Sequence, residues 1–145
     1  VNQEVTVNFS EPNEQVMHHV HVGSQITPAF NPNRLNANIG DQITFEFHGL
    51  NHTLTESTLE EPCMAKNEFD TGFSQFNPDN KIGLSLVLTV NSLDPRWFFC
   101  KQDVPSSHCH EGMVFGLNPG DDMRSFLLNA KKEALTEAVT RQTRS

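Results

Sequence analysis

Four side chains with metal-ligating atoms fall in two widely separated places in this chain, so its fold must bring distant segments together. Cys100, His108 and Met113 lie within Trp97-Phe98-Phe99-Cys100-Lys-Gln-Asp-Val-Pro-Ser-Ser-His108-Cys109-His110-Glu-Gly-Met113, whereas His52 stands in Asn51-His52-Thr53. One thiolate and two imidazoles can form a trigonal plane around an ion, with a thioether as a weak axial ligand. That is the donor set of a mononuclear copper site. Soft sulfur favours Cu(I) and imidazole accepts Cu(II), so one compact site can hold both oxidation states. The chain is expected to bind a single copper ion through His52, Cys100, His108 and Met113.

Each ligand has a competing reading. A single thiol is commonly a buried, inert cysteine, but Cys100 ends an aromatic run and is followed by histidine and methionine. His108 and Met113 are separated by four residues, with Gly112 permitting a tight reversal between them. His110 competes with His108, since both point the same way in an extended segment; the wider spacing to Met113 favours His108. His52 has a surface histidine as its alternative, as His48 nearby illustrates. The adjacent Asn51 favours a ligand, because an amide there can brace the neighbouring loop and orient the imidazole. Structural zinc sites use closely spaced Cys or His pairs without an axial methionine, which weighs against zinc.

The chain has three cysteines, and an odd count in a secreted protein leaves one thiol without a partner. Pairing Cys63 with Cys109 leaves Cys100 free, as the copper reading requires. Such a bridge would also clamp the ligand loop to the segment around Cys63. A net charge of −8 argues against a nucleic-acid partner, whose phosphates would be repelled. No run approaches the roughly 20 apolar residues of a membrane helix, and the opening Val-Asn-Gln-Glu lacks the features of a signal peptide. If the protein is secreted, its signal has been removed. Two glycosylation sequons, at Asn8 and Asn51, favour an extracellular or cell-surface setting, though such triplets are individually weak signals.

At 145 residues the chain is long enough for one domain with its own core. Short apolar runs separated by turn residues indicate an all-β domain with a modest helical part. Strands are expected at 5–9, 16–22, 43–47, 84–90, 96–100 and 113–117, with a shorter β-prone stretch at 52–55 and a turn at 31–35. The span 56–80 reads as a covering loop with a helical turn, pinned by Cys63. After Asn118 the period changes: Phe126, Leu127, Ala130, Ala134, Leu135, Ala138 and Val139 recur at helical spacing. Asp121 or Asp122 can cap that helix. The expectation is a Greek-key β-sandwich over 1–120, with a C-terminal helix over 121–145 packed on, or extending from, the same domain.

The chain resembles the cupredoxins, in particular fungal extracellular members related to phytocyanins and plastocyanins. The resemblance rests on Val-His-Val-Gly23, Gly40-Asp-Gln-Ile-Thr-Phe-Glu-Phe47, Asn51-His52-Thr53, Pro62-Cys63 and Phe69-Asp-Thr-Gly72-Phe. It continues through Trp97-Phe-Phe-Cys100-Lys-Gln, His108-Cys109-His-Glu-Gly112-Met113-Val and Leu117-Asn-Pro119, covering about 16–130. It implies a secreted or glycolipid-anchored protein with copper on His52, Cys100, His108 and Met113, and a Cys63–Cys109 disulfide. Two departures stand out: the seven-residue Cys100-to-His108 loop is long, and His18-His19-x-His21 is unusually rich in histidine. His19 and His21 share a strand face, which suggests a weak second copper site with two protein ligands.

The expected function is one-electron transfer by a monomer, with no catalytic activity, because the segment offers no general base or open substrate position. The alternative is extracellular copper capture, with a membrane copper transporter in place of the redox partner. A third reading is a cell-wall or adhesion module with a vestigial site, against which the intact ligand set argues.

Overall fold

The computed structural model describes residues 15–23, 28–49, 51–73, 77, 83–103 and 106–132. The strand expected at 5–9, the Asn8 sequon and the helical positions beyond 132 lie outside the described residues.

Within them, eight strands form two four-stranded mixed sheets. The first sheet has the order β2-β1-β4-β6, from β1 (Met17–Val22), β2 (Phe30–Asn31), β4 (Gln42–Phe47) and β6 (Ser85–Thr89). The second has the order β3-β8-β7-β5, from β3 (Arg34–Leu35), β5 (Thr55–Ser57), β7 (Arg96–Phe99) and β8 (Val114–Leu117). The pairs β1·β4 and β3·β8 are parallel and the others antiparallel. Parallel neighbours far apart in sequence require crossings between sheets, and these crossings carry the loops to the ends of the sandwich.

Alternation explains the first sheet. Val20, Val22, Ile43, Phe45 and Phe47 are fully buried, while His19 and His21 between them face outward. The inward residues meet Phe98, Phe115 and Leu117 of the second sheet in one cluster. Phe115 lies at its centre, edge-on to Phe45 at 5.3 Å between centroids and 6.1 Å from Phe98. Each fully buried ring of this kind contributes about 1.5–3 kcal/mol relative to exposure.

The second sheet lacks that alternation because both of its faces are covered. Trp97, Phe99, Cys109 and Val114 belong to a second buried cluster with Met123, Phe126 and Ala130 of the C-terminal helix. That helix is described over 123–132, and its Met123, Phe126 and Ala130 pack against the second sheet. Gly116 permits the close packing, since a Cβ there would lie 2.8 Å from Met123 Sδ and 3.2 Å from Trp97. A 3-10 turn, Gly120–Asp122, leads into the helix, and Pro119, which has no polar side chain, holds that turn's capping position. Asp121 and Asp122 sit inside that first turn instead, where their charges favour the helix N-terminus.

The 52–55 segment is shifted from expectation, with strand β5 beginning only at Thr55. Its Thr55, Glu56 and Ser57 are all buried, a polar strand inside an apolar sandwich. Arg96 resolves the largest cost by donating to both carboxylate oxygens of Glu56, at 2.9 and 2.8 Å. Burial pushes the Glu56 carboxyl up, but the Arg96 bonds outweigh it and leave the group below its ordinary value. Arg96→Met should therefore cost about 3–5 kcal/mol, because a buried carboxylate loses its partner. Urea unfolding measures this, and the deficit should shrink in acid, where Glu56 is protonated in both proteins.

Candidate metal centre

Strand β7 ends at Phe99 and strand β8 begins at Val114, and these two residues are register partners. The pairing runs one step further, with Cys100 N–H donating to the Met113 carbonyl at 3.2 Å. Both sulfur-bearing residues are thereby held side by side at the end of a sheet buried on both faces, and both are fully buried.

Over 106–112 the segment leading to Met113 is a series of turns. His108 N–H donates to Gln102 O at 2.9 Å, Met113 N–H to His108 O at 2.9 Å and Gly112 N–H to Cys109 O at 2.8 Å. Gly112 has φ +111°, the left-handed conformation that the reversal before Met113 needs. Cys109 is bonded to Cys63, so the loop carrying His108 is tied to the 58–64 segment. Cys100 is the free thiol.

His52 arrives from the loop before β5. Its Nδ1 lies 3.8 Å from Cys100 Sγ, and His108 Nδ1 lies 4.0 Å from the same sulfur. The two imidazole centroids are 5.5 Å apart. An ion about 2.0–2.1 Å from nitrogen and about 2.3 Å from sulfur separates such atoms by about 3.6–3.8 Å at trigonal or tetrahedral angles. The observed spacings come within a few tenths of an ångström of that range, so the three donors fit one metal ion.

The surroundings hold this arrangement. Thr53 N–H points at Cys100 Sγ, 3.4 Å away, and Thr53 Oγ1 accepts from Lys101 N–H at 3.0 Å. Gln102 Nε2 donates to the main-chain oxygen of Asn51 at 3.2 Å. This brace uses the Asn51 backbone, whereas its Oδ1 is buried without a hydrogen bond among the described residues. On the far side of the His52 ring lies Gly23, at φ +81°, where a Cβ would fall 2.3 Å from Nε2. Neither Thr53 nor Gly23 stood out as a site residue in the sequence; a glycine ending an alternating strand was the available signal.

Electrostatics favour a metal over protons. Burial, reinforced by His108 and His48, lowers the His52 pKa to about 4, so its lone pair is free at neutral pH. Burial raises the Cys100 thiol, partly opposed by backbone bonds from Gln102 and Thr53. The thiol is inert alone and becomes a ligand when a cation displaces its proton. His108 is half-buried, more open than His52. His110 falls outside the donor cluster.

With the geometry established, comparison places the architecture. Reduced rusticyanin matches with a TM-score of 0.51 at 19% identity, over 71% of this chain and 77% of that one. The fold is cupredoxin-like. In sequence, the chain is similar to "Probable GPI-anchored cupredoxin-1" of Arthroderma benhamiae, 26% identical over 90 residues. That alignment covers 62% of this chain and 44% of the relative, so the chain spans less than half the relative's length. Pseudoazurin from Methylobacterium extorquens AM1 aligns over 86% of this chain and 99% of its own, with a TM-score of 0.47 and 15% identity. No family model matches.

The metal-free protein should show His52 titrating near pH 4 by NMR, not near 6.5. The unfolded chain takes up that proton first, so stability falls as pH drops through this interval, by up to about 3 kcal/mol. Gly23→Ala should displace the ring, move the midpoint back toward 6.5 and cost about 1–3 kcal/mol in backbone strain.

Proposed function

We propose that this protein is a type 1 copper protein that carries single electrons, and that His52, Cys100, His108 and Met113 would hold the copper. The observation that carries the reading is the buried free thiol of Cys100 with two imidazole Nδ1 atoms at 3.8 and 4.0 Å. Copper bound there would supply a one-electron couple. The protein's contribution is to present soft and borderline donors together, in positions that suit both oxidation states.

Rigidity matters because rearrangement slows electron transfer. The continued β7–β8 pairing holds Cys100, the Cys63–Cys109 bridge restrains the loop of His108, and Gly23 supports His52. The Thr53 N–H near the sulfur stabilises negative charge on it and so tunes the couple. The half-buried His108 edge offers an exit for an electron without loss of a ligand. A redox partner would dock over that edge.

The disulfide suits an oxidising compartment, and the sequence relative bears the name "Probable GPI-anchored cupredoxin-1". Both support an extracellular or cell-surface location. No helix among the described residues is long and apolar enough to cross a membrane. The Asn51 sequon sits beside His52, with Thr53 fully buried.

The Cu(II) form should be intensely coloured through thiolate-to-copper charge transfer, and Cys100→Ser should abolish the colour while circular dichroism stays unchanged. A coloured Cys100→Ser protein would remove Cys100 from the site. Met113→Gln should retain copper and lower the reduction potential, because an oxygen ligand favours Cu(II). An unchanged voltammogram would remove Met113 from the ligand set.

A further inference from the structure

The outer face of the first sheet carries a second group of metal-ligating atoms. Parallel pairing of β1 with β4 sets His19 beside Thr44 and His21 beside Glu46, while Val20 and Val22 meet Phe45 and Phe47 on the inner face. The ladder continues past the strand end through His48 N–H to Val22 O at 2.9 Å, which places His48 on the same outer face as Glu46. Four donors thus come together from four alternate positions on two strands. His18 is excluded, since it lies half-buried with Nε2 3.0 Å from Asp41 Oδ2.

The distances are already those of a cluster. His19 Nε2 is 2.8 Å from Glu46 Oε1, and His21 Nδ1 is 2.8 Å from His48 Nε2. Glu46 Oε1 lies 3.9 Å from His21 Nδ1, and Glu46 Oε2 lies 3.7 Å from His48 Nε2. The ligand atoms of His19, His21 and Glu46 all fall within 4.8 Å of one another. Ligands about 2.0–2.1 Å from a common ion stand about 3–4 Å apart, so an ion needs only small side-chain rotations to be surrounded. His19 and His21 are about half exposed, at 48% and 50%, which leaves the face open to an incoming ion.

An exposed sheet face needs no imidazoles for packing. His21 Nδ1 and His48 Nε2 instead face each other at 2.8 Å, with the Glu46 carboxylate beside them. The sequence alone suggested two ligands, His19 and His21; the β1–β4 register adds Glu46 and His48.

We propose that His19, His21, Glu46 and His48 form a second metal site, which takes a divalent d-block cation and prefers Cu(II). Nitrogen and carboxylate oxygen donors suit Cu(II) and Zn(II), and Cu(II) binds tighter in the general order of affinities. With no sulfur donor, the site discriminates against Cu(I), unlike the Cys100 site. It is independent of that site, although β1 leads from His21 to Gly23 against His52, two residues or about 7 Å of strand.

The test is a Cu(II) titration of the Cys100→Ser protein, followed by calorimetry and electron paramagnetic resonance. One equivalent should bind, with a nitrogen-rich signal free of thiolate charge transfer, and Zn(II) should bind more weakly. Adding His21→Ala and His48→Ala should abolish that equivalent, and Glu46→Gln should weaken it. In the otherwise wild-type chain, His21→Ala/His48→Ala should lose only the colourless equivalent. The proposal is overturned if Cys100→Ser binds no Cu(II), or if its ion survives the His21→Ala/His48→Ala change in a folded protein. A wild type that never colours would instead count against the Cys100 reading and leave this result interpretable.

Discussion

One hydrogen bond, from Cys100 N–H to the Met113 carbonyl, extends the pairing of β7 and β8 beyond the last residues of both strands. A thiol and a thioether thirteen residues apart become neighbours at a fixed spacing. The strands behind them are packed on both faces, against Phe45 of the first sheet on one side and Phe126 of the helix on the other. Disturbing either face would shift both sulfur atoms without touching them directly.

The histidines reach the sulfur by different means. His52 is set by close fit: Gly23, lacking a Cβ, leaves room for its ring, and the loop around it is held by Thr53 and Gln102. His108 is set by a turn and a disulfide. The difference in burial then divides their roles, with His52 dry and resistant to protonation and His108 open toward solvent. Burial that would penalise a charged imidazole is what keeps His52 ready for a cation.

The two donor clusters differ in softness and in setting. One combines a thiolate and imidazoles in a closed pocket; the other combines imidazoles and a carboxylate on an open sheet. Closed, sulfur-containing surroundings suit an ion that stays while its charge changes. An open nitrogen and oxygen cluster suits an ion that exchanges. Both depend on β1, whose inner residues fill the core, whose outer residues carry His19 and His21, and whose end supplies Gly23.

Much of this was written locally. Alternation in Val16–Val22 and Ile43–Phe47 sets which residues face the core, because side chains switch sides at every position of a strand. The Cys100, His108, Cys109 and Met113 spacing and the odd cysteine count identify a free thiol next to ligands, since donor chemistry belongs to the side chain itself. Strand register, burial and convergence across the chain are not local properties. The second sheet concealed its period because the helix covers its outer face, and β5 begins at Thr55, where its pairing with β7 sets buried Glu56 within reach of Arg96. Only tertiary structure sets Gly23 against His52, and only the parallel β1–β4 register adds Glu46 and His48 to His19 and His21. Sequence determines which atoms can bind; long-range packing decides which of them meet.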